Sequence, residues 1–279
     1  MEFTKQATSK FIKAGPIRMH YNEAGSGEPL ICVHGGGPGA TGWSNFSRNI
    51  GELSKHYRTI LVDLPGFGET DGMKIDAPLY GVLARSVRDF MDALDIRRAH
   101  FIGNSLGGGT VVKFAMDYPD RADRLVLLGP GCGLPIFSHT PSEGIKHLFG
   151  FYEPPGPSIE KLKAFIQVMI YDPSAFTEEL LAERYEAATR PEVIANFPIK
   201  RGTPQTIEPL WKDIASVKHK SLVLWGRDDR TVPFDTGLIL LSQMPDVRFV
   251  VFSRCGHWVQ WEKAAEFNRM VVSFLGATD

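Results

Sequence analysis

The sequence predicts an α/β fold, a mostly parallel sheet flanked by helices and carrying a helical insertion. Three observations predict it. Short apolar runs bounded by Gly, Pro or Asp recur along the chain. Such runs suit parallel strands buried on both faces. Longer stretches with helical periodicity separate them, and repeated strand-then-helix order gives a parallel sheet covered on both sides. The alternation stops near Gly133 and resumes near Ser221, which places an insertion between two strands.

The elements follow in order. Ile17 to Glu23 reads as a strand closed by the turn Ala24-Gly25-Ser26-Gly27. Leu30 to Val33, Thr59 to Val62, His100 to Ile102, Leu125 to Leu128, Ser221 to Trp225 and Val247 to Phe252 read as further strands. Leu79 to Leu94 has apolar residues at 79, 82, 83, 87, 90, 91 and 94, a helical stripe. Leu106 to Tyr118 opens with small residues and stops at Pro119, and Ala264 to Leu275 closes the chain as a helix. Within the insertion, Ser158 to Tyr171 and Thr177 to Thr189 read as helices, and Glu153-Pro154-Pro155-Gly156-Pro157 as a rigid turn. The division expected is a core of residues 1–132 and 207–279 with a helical lid over 133–206. About 70 residues would fold alone only marginally, so a lid leaning on the core is preferred to an independent domain.

Composition narrows the function. The 279 residues carry a net charge of −1 and no Lys/Arg cluster, which disfavours nucleic acid or an anionic membrane surface as partner. The N-terminal residues lack the apolar core of a secretory signal, and no apolar run reaches the length of a membrane span. Cys32, Cys132 and Cys255 are odd in number and far apart, giving neither a disulfide framework nor a zinc spacing. A cytoplasmic protein without a metal or other cofactor is expected.

Gly103-Asn104-Ser105-Leu106-Gly107 matches G-x-S-x-G between an apolar run and a helix. In that context the glycines permit a sharp turn that lifts the Ser105 hydroxyl clear of the sheet. A bare match is common in Gly/Ser helix caps, but the strand–turn–helix setting weakens that reading. The Leu106 N–H, at a helix N-terminus, suits an oxyanion. His34-Gly35-Gly36-Gly37-Pro38-Gly39 follows another strand and offers a second donor at Gly36. A phosphate cradle is the rival reading, yet neither G-x-x-x-x-G-K-[ST] nor G-x-G-x-x-G is present.

A serine nucleophile needs a base and a group to orient it. His257 follows the last strand in Cys255-Gly256-His257-Trp258, and Asp228 and Asp229 follow the Trp225 strand. The chain order Ser, Asp, His fits this α/β-hydrolase arrangement. Asp229 is preferred because G-x-x-D sets it on the loop beyond the strand; Asp228 is the fallback. His34 and Asp63 also end strands, but the glycine run after His34 suggests a structural or oxyanion-loop role, and Asp63-Leu64-Pro65-Gly66 reads as a structural turn. Cys255 reads as a small buried apolar residue.

With these motifs in place, the chain resembles the meta-cleavage-product hydrolases, α/β-hydrolases that split C–C bonds in aromatic ring-fission products. The resemblance lies in His34-Gly35-Gly36-Gly37-Pro38-Gly39-Ala40, Trp43-Ser44-Asn45, Gly103 to Gly108, Trp225 to Arg230 and, most narrowly, Gly256-His257-Trp258-Val259-Gln260-Trp261-Glu262. It implies a small-molecule 2-hydroxy-6-oxohexa-2,4-dienoate substrate with an aryl or alkyl group at C6. The products are a 2-hydroxypenta-2,4-dienoate and a carboxylic acid. A homo-oligomer, dimer or higher, is expected. Such a substrate needs a cation for its carboxylate. Arg184 lies on the apolar stripe of Leu180 to Ala188, where a guanidinium faces a pocket rather than water and can clamp a carboxylate. A surface pair with Glu179, Glu183 or Glu186 is the plainer reading, and Arg190 an alternative. The resemblance also implies substrate contacts at Gly37, Asn45, Asn104 and Trp258. Asn45 could instead cap a helix, Asn104 serve a turn and Trp258 pack a core. The competing functions are a carboxylesterase or lactonase with the same three residues, and a non-catalytic small-molecule receptor. The first would not need the arginine, and an intact constellation argues against the second.

Overall fold

The computed structural model describes residues 3–73, 75, 77–199 and 208–277. The strands are β1 (Ser9–Ala14), β2 (Ile17–Ala24), β3 (Pro29–Val33), β4 (Arg58–Val62), β5 (Ala99–Asn104), β6 (Ala122–Leu128), β7 (Ser221–Gly226) and β8 (Val247–Phe252). The helices are α1 (Lys5–Thr8), α2 (Gly42–Leu53), α3 (Leu79–Ala93), α4 (Leu106–Asp117), α5 (Glu143–Gly150), α6 (Ile159–Met169), α7 (Glu178–Thr189), α8 (Pro191–Asn196), α9 (Leu238–Gln243), α10 (Val259–Glu262) and α11 (Ala264–Leu275). All strands form one sheet in the order β1-β2-β4-β3-β5-β6-β7-β8. It is parallel from β4 to β8 and antiparallel only where β2 meets β1 and β4. The α/β-hydrolase fold is thus present, with β1 and the helices α1, α2, α5, α8, α9 and α10 added to the expected elements.

Burial explains why the apolar runs are continuous. Every residue of β5 and of β7 is buried. One apolar cluster packs α3 and α4 on one face of the sheet. A second packs α2 and α11 on the other. The insertion between β6 and β7 carries a third cluster, with Phe151, Leu162, Phe165 and Met169 closed by Trp258 and Trp261. It shares its core with the sheet domain rather than building one alone. The expected boundary at 206/207 lies outside the described residues. Among the described residues, no helix is long and apolar enough to cross a membrane.

In an open parallel sheet the strand C-termini converge on one edge, where loops carry the chemistry. Here β3 leads to His34, β5 to Ser105, β7 to Asp229 and β8 to His257. The step from β5 into α4 leaves no room for side chains: a Cβ on Gly107 would overlap the Val33 and His34 carbonyls. We expect Gly107→Ala to cost roughly 1–3 kcal/mol or more, because the obstacle is backbone that cannot repack. Urea unfolding measures it; an unchanged midpoint would contradict this packing.

His34 and Asp63 hold the edge together. His34 Nε2 accepts from Leu64 N–H (2.9 Å), and its Nδ1–H donates to Gly35 O (2.7 Å). Burial holds its pKa below the ordinary imidazole value, so it is a neutral strut. Asp63 accepts from Gly42 N–H (2.7 Å), Glu69 N–H (3.3 Å) and His20 Nδ1–H (2.8 Å). Both residues therefore serve turns, as their glycine neighbours suggest.

Candidate active site

Ser105 sits at φ +53°, ψ −113°, between β5 and α4. A non-glycine residue there stores about 1–3 kcal/mol of backbone strain. Its surroundings enforce the conformation. The Ser105 N–H donates to Leu128 O (2.9 Å), and the Ser105 carbonyl accepts from Gly109 and Gly131 (3.0 Å each). The turn is locked from both sides, so the side chain stands off the sheet toward a cavity. That cavity is lined by Gly35, Gly36, Gly37, Asn45, Asn104 and Ser105 from the sheet edge, His257 and Trp258 from the last loop, and Arg184 from α7.

His257 is buried, and its Nδ1–H donates to Asp229 Oδ2 (2.7 Å). The other oxygen, Asp229 Oδ1, accepts from Thr231 N–H (2.7 Å) and Val232 N–H (2.9 Å). A carboxylate so engaged fixes the imidazole with Nε2 free to face the cavity. Gly129 lies beside the pair: a Cβ there would stand 3.2 Å from His257 Nδ1. Asp228 faces Arg227 instead (3.7 Å), so the structure brings Asp229 to His257 and not the fallback. Cys255, two residues from His257, is buried, which pushes its thiol pKa up and leaves it a poor competing nucleophile.

The glycine loop after β3 packs on α4. A Cβ on Gly36 would approach Leu106 Cβ to 3.2 Å, so Gly36 and Leu106 are in contact beside Ser105. Leu106 is the first residue of α4, where backbone N–H groups lack helical acceptors. Asn45 Oδ1 accepts from Gly35 N–H (3.3 Å), and Asn45 Nδ2 donates to Thr41 O (3.2 Å). Asn45 is therefore not the cap of α2; Thr41 is, with a reciprocal Ser44 bond. Asn104 Nδ2 donates to Leu128 O (3.2 Å), while its buried Oδ1 has no partner among the described residues.

Arg184 is the unusual member. It is 2% exposed. None of Nε, Nη1 and Nη2 has a hydrogen-bond partner among the described residues. Its Cζ stands 4.5 Å from the Trp258 ring centroid. Burial pulls its pKa down to about 9, which still leaves a cation at neutral pH. The surface-pair reading is excluded by this burial. Arg190 lies elsewhere, donating to Gly68 O (3.0 Å). The approach of Arg184 depends on small residues in the loop opposite. A Cβ on Gly39, at φ +66°, would overlap the Arg184 carbonyl, and one on Gly37 would stand 3.1 Å from Nη2. A buried cation without a partner costs several kcal/mol unless something supplies an anion.

Four wall residues have no signature in the sequence: Leu148, Phe165, Met169 and Thr231. Phe165 and Met169 are four apart on α6, where an apolar stripe looks the same whether it faces a core or a ligand. Among the described residues, no group of three His, Cys, Asp or Glu side chains is gathered as metal ligands would be.

The sheet order, the strained serine turn and the glycine loop define the class: the chain is an α/β-hydrolase, and the family model described as the alpha/beta hydrolase family matches residues 30–270. Within that class it belongs to the meta-cleavage-product hydrolases. It is 48% identical to the 2-hydroxy-6-oxo-6-phenylhexa-2,4-dienoate hydrolase of Comamonas testosteroni, over 98% of each chain. It is 45% identical to a 2-hydroxy-6-oxononadienedioate/2-hydroxy-6-oxononatrienedioate hydrolase of the same organism, again over 98% of each. The solved meta-cleavage product hydrolase of Pseudomonas fluorescens IP01 superposes with a TM-score of 0.86 at 35% identity, covering 96% of this chain and 97% of that one.

Proposed function

We propose that this chain hydrolyses a C–C bond in 2-hydroxy-6-oxohexa-2,4-dienoates bearing an aryl or alkyl group at C6, giving a 2-hydroxypenta-2,4-dienoate and a carboxylic acid. The observation that carries the reading is Arg184, a buried guanidinium with three unpartnered nitrogens in the cavity that Ser105 and His257 line. A substrate carboxylate supplies the missing anion. An ester of a neutral acid would leave that cation unpaired.

The residues then divide the work. Arg184, Asn104 and Gly37 hold the carboxylate and enol end, Asn45 fixes the glycine loop at Gly35, and Trp258 packs on the dienoate plane. His257, oriented by Asp229, helps move the enol proton so that C5 of the substrate becomes protonated and the C5–C6 bond can break. Ser105 gives its proton to His257 and attacks the C6 ketone. The Gly36 and Leu106 N–H groups hold the oxyanion. Collapse of that intermediate releases the dienol, and one water then hydrolyses the acyl-serine to the carboxylic acid. The inserted helices α5 to α8 act as a lid that keeps bulk water from the acyl-enzyme. The reading extends to a cytoplasmic homo-oligomer, which size-exclusion chromatography with light scattering tests.

The test of function pairs two substrates. The pure protein is mixed with a coloured 6-aryl dienoate and, separately, with a nitrophenyl ester. Loss of the dienoate chromophore at a kcat/KM well above that for the ester is expected. Fast ester turnover with an inert dienoate would overturn the C–C hydrolase reading in favour of an esterase.

A further inference from the structure

Glu262 has no part in the chemistry above, yet its carboxylate grips the loop of His257 on both sides. Oε1 accepts from Gly256 N–H (2.9 Å) and Trp258 N–H (3.4 Å). Oε2 accepts from Tyr171 N–H (2.8 Å), two residues beyond the end of α6. The His257 N–H itself donates to Met169 O (2.6 Å), the last residue of α6. The backbone of His257 is thus held between α10, through Glu262, and the end of α6.

A carboxylate is suited to this place because both of its oxygens only accept. Three N–H groups from two chain segments converge on it. An amide could serve one segment, but its NH2 would then face an N–H of the other. The group is half-buried, and burial together with the Asp229 charge raises its pKa. Asp229 and the Cys255 thiol, whose Sγ is 3.9 Å from Oε1, are the titratable groups facing it.

We propose that Glu262 is the positioning residue for His257. It holds the base loop so that the imidazole keeps its Asp229 bond while addressing Ser105, and it couples that geometry to the seated position of α6. This rests on the reading of His257 as the base. The coupling acts on the chemical step rather than on substrate affinity, because Glu262 does not line the cavity.

The experiment compares Glu262→Gln, Glu262→Asp and His257→Ala in the full chain, with active sites counted by a fluorophosphonate. Per titrated site, Glu262→Gln lowers kcat for the dienoate about tenfold with KM within about twofold, the scale expected of a misplaced base. The acidic limb of its kcat/KM profile moves to lower pH, because one anion facing Asp229, the partner of the base, is gone. Glu262→Asp keeps the charge and loses reach, so its kcat falls while that limb stays. A kcat per titrated site equal to wild type in both variants overturns the proposal. So does a loss confined to the titrated fraction with the pH profile unmoved, which is the mark of a merely structural residue. Wild-type turnover in His257→Ala would instead overturn the base assignment, and with it this inference.

Discussion

Replacing Ser105 by glycine is expected to abolish C–C cleavage while making the protein more stable. Loss of the nucleophile removes the acyl-enzyme route, and single-turnover cleavage should slow by about 10³-fold or more. The cavity, Arg184 and the glycine loop stay in place, so the dienoate still binds. Its absorbance shift on mixing reports this directly. The stability gain has a separate origin. Ser105 holds φ +53°, a conformation glycine adopts without a Cβ penalty. Relief of roughly 1 kcal/mol is expected from the strain stored there, less the entropy glycine loses on folding. Ser105→Ala gives the same loss of cleavage without the gain, because alanine keeps the Cβ. Equal melting temperatures for the two variants would contradict the strain argument, and retained cleavage in either would remove the nucleophile assignment.

The second large effect is at Arg184. Arg184→Met keeps much of the aliphatic stem and deletes the charge. Its kcat/KM for the dienoate should fall by about 10²–10³-fold, the cost of truncating one partner of a buried charged pair. Nitrophenyl ester turnover should stay within a few-fold of wild type. Equal losses on both substrates would mean that Arg184 shapes the site rather than clamping a carboxylate. Stability should move the other way. The free protein buries this guanidinium with no hydrogen-bond partner among the described residues, so a methionine removes a desolvation penalty. A higher melting temperature without ligand is the expected sign. Adding a dienoate analogue should raise the melting temperature of the wild type more than that of the variant.

Most of the sheet was readable because its strands are buried on both faces and show as plain apolar runs. β1 was not, because Ser9-Lys10-Phe11-Ile12-Lys13-Ala14 breaks its apolar residues with lysines, whereas the other edge strand, β8, is apolar at five of its six positions. α2 was also silent. Its buried stripe of Phe46, Ile50 and Leu53 is thin among Ser, Asn and Gly, and periodicity needs denser apolar contrast. Ser105 and His257 were legible because loop chemistry leaves local patterns: a glycine turn between strand and helix, a Gly-His after the last strand. Asp229 was harder, with two adjacent carboxylates to choose between. Only the three-dimensional path of the loop sends one to the imidazole and leaves the other beside Arg227. Arg184 needed both its place on a helical stripe and a family resemblance. Leu148, Phe165 and Met169 were beyond reach, because hydropathy cannot distinguish a residue that packs on protein from one that packs on substrate. The role of Asn45 was likewise hidden, since its partner Gly35 lies in the loop after β3 and not in its own helix.

Met169 has two jobs that use different parts of the residue. Its carbonyl receives the His257 N–H, and its side chain forms part of the cavity wall. The bond to the base depends only on the main chain, so any side chain compatible with the end of α6 preserves it. The position can therefore vary among apolar side chains that still fill the cluster around Phe165 and Trp258, reshaping the cavity wall without losing the bond to His257. Altered selectivity should be reachable there by single substitutions, whereas insertions or deletions beside it would be purged.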